Sequence, residues 1–275
     1  MARIGVVFSS GFFGFFAHAG FLAALRDLGI KSAGYAGASS GAIVAAMAAS
    51  GIDDNAIKET LFNVRKEDFW DPDPWYVILA KAVTLFRGYR GYLKGERFAQ
   101  LLRGLPVKKI EDCEIPLAIT ATNLTNREET NFTRGDLIEA IRASGAVPGL
   151  FKPVEIGGSM YVDGGIINKA PVQVLTDLVK PEKIIVHFLT SDNMGDRVNS
   201  FLKRRMTPWH IHQLSINISR HEAYQRQCDF VGQQGIDIIE VKTNTPHLGP
   251  NRLEYGPQAY RKAREETLKI LSKKD

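Results

Sequence analysis

Apolar positions along the chain fall into two periods. Short continuous apolar runs at Ile4 to Phe8, Ser32 to Ala36, Leu117 to Ala121, Met160 to Val162, Lys183 to Leu189 and Ile236 to Val241 read as buried strands. Between them the spacing turns helical. Phe21, Leu22, Leu25 and Leu28 form one stripe over about Ala17 to Leu28, with Arg26 in its last turn and Gly29 as a stop signal. Further helical patterns cover Leu137 to Ala143, Pro171 to Leu178 and Pro257 to Leu271, while Ala42 to Ala49 is apolar on every side and predicts a helix enclosed all round. Such alternation predicts an α/β fold with a mostly parallel sheet covered by helices. Neither an internal repeat nor a Pro/Gly/Ser linker divides the chain, so one domain over 1–275 is expected. Its least regular part, 53–102, reads as an insertion or lid region on that core.

Composition narrows the class. With 275 residues, 44% hydrophobic and 24% charged, the chain excludes disorder, collagen and coiled coil. A net charge of +5 gives a mild attraction to anionic surfaces. No basic stripe or base-stacking motif accompanies it, so a nucleic-acid partner is not expected. Cys113 and Cys228 are isolated, which argues against a disulfide scaffold or a zinc site and makes a reducing, cytoplasmic setting the default. The stretch from Gly11 to Leu25, with Ala17-His18-Ala19 inside it, loosely imitates a secretion signal. Cleavage there would remove the 4–8 strand that the rest of the chain uses, so no cleaved leader is expected. No apolar run approaches the roughly 20 residues of a membrane span, and any membrane contact is expected to be peripheral.

Two further helical segments carry basic residues. Trp75, Tyr76, Ile78, Leu79, Val83 and Phe86 follow an approximate helical stripe among Lys81, Arg87 and Arg90. They fit either an interfacial helix facing anionic lipid or a helix packed on the core. The polar helix from Ser215 to Gln227, with Arg220 and Arg226, reads as a solvated face.

The strongest chemical signal is Gly37-Ala38-Ser39-Ser40-Gly41, a G-x-S-x-G where a strand turns directly into a helix. A nucleophile on so sharp a turn is forced into strained backbone angles, and glycines two before and two after it let strand and helix approach. The alternative is a small-residue turn that packs a helix on a sheet. A nucleophilic serine needs a base. His18 lies in the first helix, His187 in a strand, and His210, His212 and His221 in a polar helical region, leaving His247 as the one late histidine in a loop. Asp163, in Tyr161-Val162-Asp163-Gly164-Gly165, is the better candidate, because a buried carboxylate with raised basicity accepts the serine proton directly. Taken alone, the Asp-Gly-Gly is a turn.

The stretch from Arg142 to Val154, with Ala143-Ser144, Pro148-Gly149, Phe151 and Pro153, leads into that Asp-Gly-Gly. Together with the serine elbow, it resembles the patatin-like phospholipase family over roughly residues 3 to 190. The resemblance implies a three-layer α/β/α fold and a Ser39–Asp163 dyad, supported by Gly164 and Gly165, that hydrolyses acyl esters of lipids without metal or cofactor. It also implies an oxyanion loop at Ser10-Gly11-Phe12-Phe13-Gly14, with backbone N–H groups of Gly11 and Phe12 as donors. The family's basic residue in that loop is missing here, and the loop also lacks the Lys and Ser/Thr ending of a phosphate-binding P-loop. Phe12, Phe13, Phe15 and Phe16 are expected either to line an acyl channel or to pack beneath the sheet. Three functions follow: a lipid acyl hydrolase, an acyltransferase using the same acyl-serine, or a lipid-binding module whose altered loop has lost catalysis. Residues beyond about 190 lie outside the resemblance and receive no role.

Overall fold

Ile4–Phe8 forms β1 at the centre of an eight-stranded sheet, and its alternating side chains define the two faces. Val6 and Phe8 point into one core cluster and Val7 into the other. The computed structural model describes residues 2–191, 207–246 and 248–272. In chain order the remaining strands are β2 (Gly34–Ala38), β3 (Gly91–Leu93), β4 (Leu117–Asn123), β5 (Glu128–Phe132), β6 (Gly149–Phe151), β7 (Val154–Ile156), β8 (Ser159–Asp163), β9 (Lys183–Ser191) and β10 (Asp237–Thr245). The helices are α1 (Phe15–Asp27), α2 (Ser40–Ala49), α3 (Asp54–Phe62), α4 (Trp75–Val83), α5 (Glu96–Leu102), α6 (Leu137–Gly145), α7 (Val172–Val179), α8 (Pro208–Gln233) and α9 (Gly256–Leu271).

Strands β10, β9, β1, β2 and β4 lie side by side in parallel, while β5 and β8 run antiparallel to β4. Helices α1, α2, α3, α6 and α9 cover one face, and α7 and α8 the other. The expected three-layer α/β/α fold is therefore observed. The first sheet strand after β1 starts at Gly34 rather than Ser32, because Ser32 turns back and its hydroxyl bonds the Gly34 backbone. β5 escapes the hydrophobic pattern because it is a polar strand flanking β4.

One strand sets the geometry of everything that follows. β5 occupies one edge of β4 over Ile119 to Asn123. The other edge is shared: β2 pairs with Leu117 to Thr120, and β8 takes over at Ala121 to Asn123. Ala38, the last residue of β2, sits opposite Thr120, and Asp163, the last of β8, opposite Ala121. The ends of the two strands thus meet on consecutive β4 positions.

The C-terminal third builds part of the core. α9 crosses α1 so closely that a Cβ on Gly20 would collide with the Tyr260 carbonyl. The Ser215 to Gln227 helix is solvated on one side only: Glu222, Gln225 and Arg226 are exposed, whereas Tyr224 is buried against Phe188 and Arg220 turns inward toward the sheet. Polar residues at these positions do not signal exposure, since Tyr224 donates to Glu240 and Arg220 to a backbone carbonyl. Among the described residues no helix is long and apolar enough to cross a membrane.

Candidate active site

Ser39 links β2 to α2 with φ 55° and ψ −123°, a conformation that costs an L-residue of order 1–3 kcal/mol. Its surroundings enforce it. A Cβ on Gly37 would stand 2.6 Å from the Gly41 carbonyl, and one on Gly41 would collide with the Phe8 carbonyl, so strand and helix approach only because both are glycine. The Ser39 N–H donates to Ser144 Oγ at 2.8 Å, and Ser144 Oγ in turn donates to the Thr120 carbonyl at 2.6 Å. Ser144 belongs to the segment that carries the family resemblance, yet sequence alone gave it no task. Here it ties the elbow to β4 and takes Ser39's own N–H out of the set that can face a ligand.

Ser39 Oγ donates to Asp163 Oδ2 at 2.6 Å. Oδ1 accepts the Gly165 N–H at 2.7 Å, which orients the carboxylate and explains the glycines behind it. A Cβ on Gly164 would strike the Thr120 carbonyl, and one on Gly165 the Ser10 side chain. Burial pushes the Asp163 pKa up to about 6, against the opposing pull of the Ser39 hydroxyl, the Gly165 N–H and the Arg220 cation. Arg220 reaches the same loop from α8, donating from Nη1 to the Gly165 carbonyl at 3.0 Å.

The loop from Ser9 to Gly14 closes the site on the other side. Gly14 N–H donates to Gly11 O at 2.9 Å, and both glycines pack against Leu189. The left-handed residue of this turn is Phe13, φ 53°, rather than a glycine. Among the hydrogen bonds of the described residues, the N–H groups of Gly11, Phe12 and Ser40 reach no protein acceptor. A buried histidine pair braces the start of the loop. Ser9 O can only accept, so His18 Nε2–H donates to it at 2.8 Å. His18 Nδ1 then accepts from His187 Nδ1–H at 2.8 Å, and the Thr243 hydroxyl donates to His187 Nε2 at 3.2 Å. Burial lowers the His18 pKa to about 3 and holds His187 well below its ordinary value, so both rings are neutral. His221 lies beside Phe188 and Tyr224 on α8, and His247 is outside the described residues.

An apolar cavity of about 200 Å³ runs from Ser39 between the helices. Ile43 and Met47 of α2, Leu61 of α3, and Leu101 of α5 are among its walls, so the 53–102 region helps to build the cavity. The four phenylalanines divide: Phe12, Phe13 and Phe15 line the cavity, and Phe16 packs on Phe62 and Gly256.

Comparison with known proteins identifies the family and the fold. The family model described as patatin-like phospholipase matches residues 6–176. An uncharacterized NTE family protein of Mycobacterium tuberculosis is 32% identical over 174 residues, covering 62% of this chain and 44% of that protein. A protein named lysophospholipase NTE1 from Cryptococcus neoformans var. neoformans is 27% identical over 198 residues, 71% of this chain and 12% of that protein. The chain thus spans less than half the length of these relatives. The crystal structure of VipD from Legionella pneumophila matches the fold with a TM-score of 0.56 at 17% identity, over 99% of this chain and 67% of that one.

Proposed function

Because the chain belongs to the patatin-like phospholipase family, we propose that it is a lipid acyl hydrolase working through a Ser39–Asp163 dyad at a lipid surface that it meets peripherally. The observation that carries the reading is the 2.6 Å hydrogen bond from Ser39 Oγ to Asp163 Oδ2 beside an apolar cavity.

Ser39 Oγ attacks the ester carbonyl carbon while its proton passes to Asp163 Oδ2. A carboxylate with pKa about 6 is ionised at neutral pH, yet more basic than an ordinary aspartate. The carbonyl oxygen becomes an oxyanion facing the unpartnered N–H groups of Gly11 and Phe12, with the Ser40 N–H and the positive end of α2 beside it. The missing basic residue of the loop is not needed for this task, since backbone N–H groups supply the donors. The tetrahedral adduct collapses, the leaving alcohol takes the proton from Asp163, and the acyl group stays on Ser39. Water then attacks the acyl-serine, gives its proton to Asp163, and the carboxylic acid departs as Ser39 recovers its proton. The cavity takes the acyl chain, with Ile43, Met47 and Leu101 against the methylenes.

Labelling with a fluorophosphonate probe followed by peptide mass spectrometry tests the dyad. The adduct is expected on Ser39, absent in Ser39→Ala and strongly slowed in Asp163→Asn. An unlabelled but folded wild-type protein refutes catalysis and leaves a lipid-binding module. Product analysis with an added alcohol distinguishes hydrolysis from acyl transfer, because the acyl group then leaves as an ester instead of an acid.

A further inference from the structure

The 53–102 region contains a surface that the active site does not use. α4 has no buried residue, and its apolar side chains continue onto the turn after it: Trp75 is 75% exposed, Val83 83% and Leu85 84%, with Tyr76, Leu79 and Phe86 also open. Val77 and Ile78 on its inner side are only half-buried, so the helix rests on the protein without entering its core. An apolar patch of this kind on a soluble protein marks an interaction surface.

Charge and position say what covers it. From Pro74 to Gly95 the chain holds no acidic residue, and Lys81 and the exposed Arg87 lie within the apolar stretch. Arg90, nearby, is paired to Glu155 at 2.9 Å. Two copies of this face placed together would set like charges against each other, which is unfavourable. An anionic bilayer neutralises the cations and buries the apolar side chains, the pattern of an interfacial helix. Both ends of the excursion are fastened beside the cavity. Asp73 N–H donates to Tyr92 O at 3.3 Å, Lys152 Nζ meets Asp73 at 2.8 Å, and Leu93 pairs with Phe151, a wall of the cavity as Trp70 is on the entering side.

We propose that α4 and the Leu85–Phe86 turn dock the protein on an anionic lipid bilayer, seating the rim of the Ser39 cavity against the membrane. The purpose assigned to this surface rests on the lipid-hydrolase reading; the binding itself does not.

The test uses the full chain carrying Ser39→Ala, so that binding is read without hydrolysis, with phosphatidylcholine vesicles containing or lacking phosphatidylserine. Binding is expected to favour the phosphatidylserine vesicles and to weaken with salt. Replacing Trp75, Leu79 and Leu85 together by serine lowers partitioning by at least about a hundredfold, since each exposed apolar side chain supplies roughly a tenfold gain when buried. Lys81→Glu with Arg87→Glu removes the preference for phosphatidylserine. In the Ser39 protein the triple serine variant keeps its rate on a soluble short-chain ester and loses it on vesicle lipid. The proposal is overturned if vesicles are not bound, if the triple variant binds as before, or if the soluble-ester rate falls with it, which would make the segment a support of the cavity. A dimer that the triple variant dissolves also overturns it. Failure of the dyad would appear separately, as loss of fluorophosphonate labelling with vesicle binding intact.

Discussion

The serine elbow and the tip beyond α4 both hold residues in left-handed backbone geometry, and they are held differently. At the elbow, Ser39 is fixed by the close approach of Gly37 to Gly41, by Ser144 and by Asp163. At the tip beyond α4, Leu85 and Phe86 have φ of 51° and 58°, kept by local turn bonds to Ala82 and Lys81, with their side chains in the open. The first is strain that the surrounding core over-determines, the second a turn that throws apolar side chains outward. Strain marks chemistry where several independent contacts converge on it, and at an exposed tip it marks display.

The strongest way to break this contrast is at the elbow. Ser39→Ala is expected to reduce ester hydrolysis by about 10⁴-fold or more, and Asp163→Asn by about 10³-fold or more, each with an unchanged far-ultraviolet circular dichroism spectrum. A fully active Ser39→Ala protein would refute the dyad. Next is Gly41→Ala, whose Cβ meets backbone that cannot swing aside. Urea unfolding should show a loss of about 3 kcal/mol or more, or no folded protein. Ser144→Ala leaves the Ser39 N–H and the Thr120 carbonyl without their partner. We expect about 1–3 kcal/mol of destabilisation and a fall in kcat larger than any change in KM.

Acid separates the site's chemistry from the fold's stability. With Asp163 required as the ionised base, kcat/KM is expected to drop about tenfold per unit below pH 6. Stability responds to further groups as well. His18 and His187 have depressed pKa values in the folded state, so their contribution is complete above 6.5 and is lost as pH falls below it. The raised pKa of Asp163 has the opposite sign: between about 6 and 3.8 the folded state binds its proton first, which offsets one of the two histidines. Urea midpoints measured from pH 7.5 to 5 should therefore fall, with a slope that grows through 6.5 and levels off below about pH 6 at roughly one proton's worth. The smallest effect is expected at the tip, where Leu85→Gly relieves the left-handed geometry but loosens the unfolded chain, changing stability by no more than about 1 kcal/mol. A larger loss would mean that the tip is held by more than its turn.

The sequence made legible what is periodic or local. Strands such as Ile4–Phe8 and helices such as α6 and α9 follow from spacing, and the glycine-flanked serine announces its own geometry. The polar strand β5 and the 26-residue α8 carry no clean apolar stripe, so their packing escapes a pattern reading. What depends on meeting a distant partner was hidden. Arg220 acts on a backbone carbonyl 55 residues away, and His18 faces His187 across 169. The Ser39–Asp163 pairing spans 124 residues and was reachable only because both ends carry motifs.

The handover from β2 to β8 along one edge of β4 has a consequence for how such a protein can change. Strand register acts as a ruler: one residue added within β4 would shift Ser39 and Asp163 off their neighbouring marks and reverse which side chains face the core. Length added between the marks, as in the stretch that walls the cavity and carries α4, leaves the ruler untouched. The Ser39–Asp163 pair is indexed to a few fixed positions, and the stretch that walls the cavity can change in length without moving them.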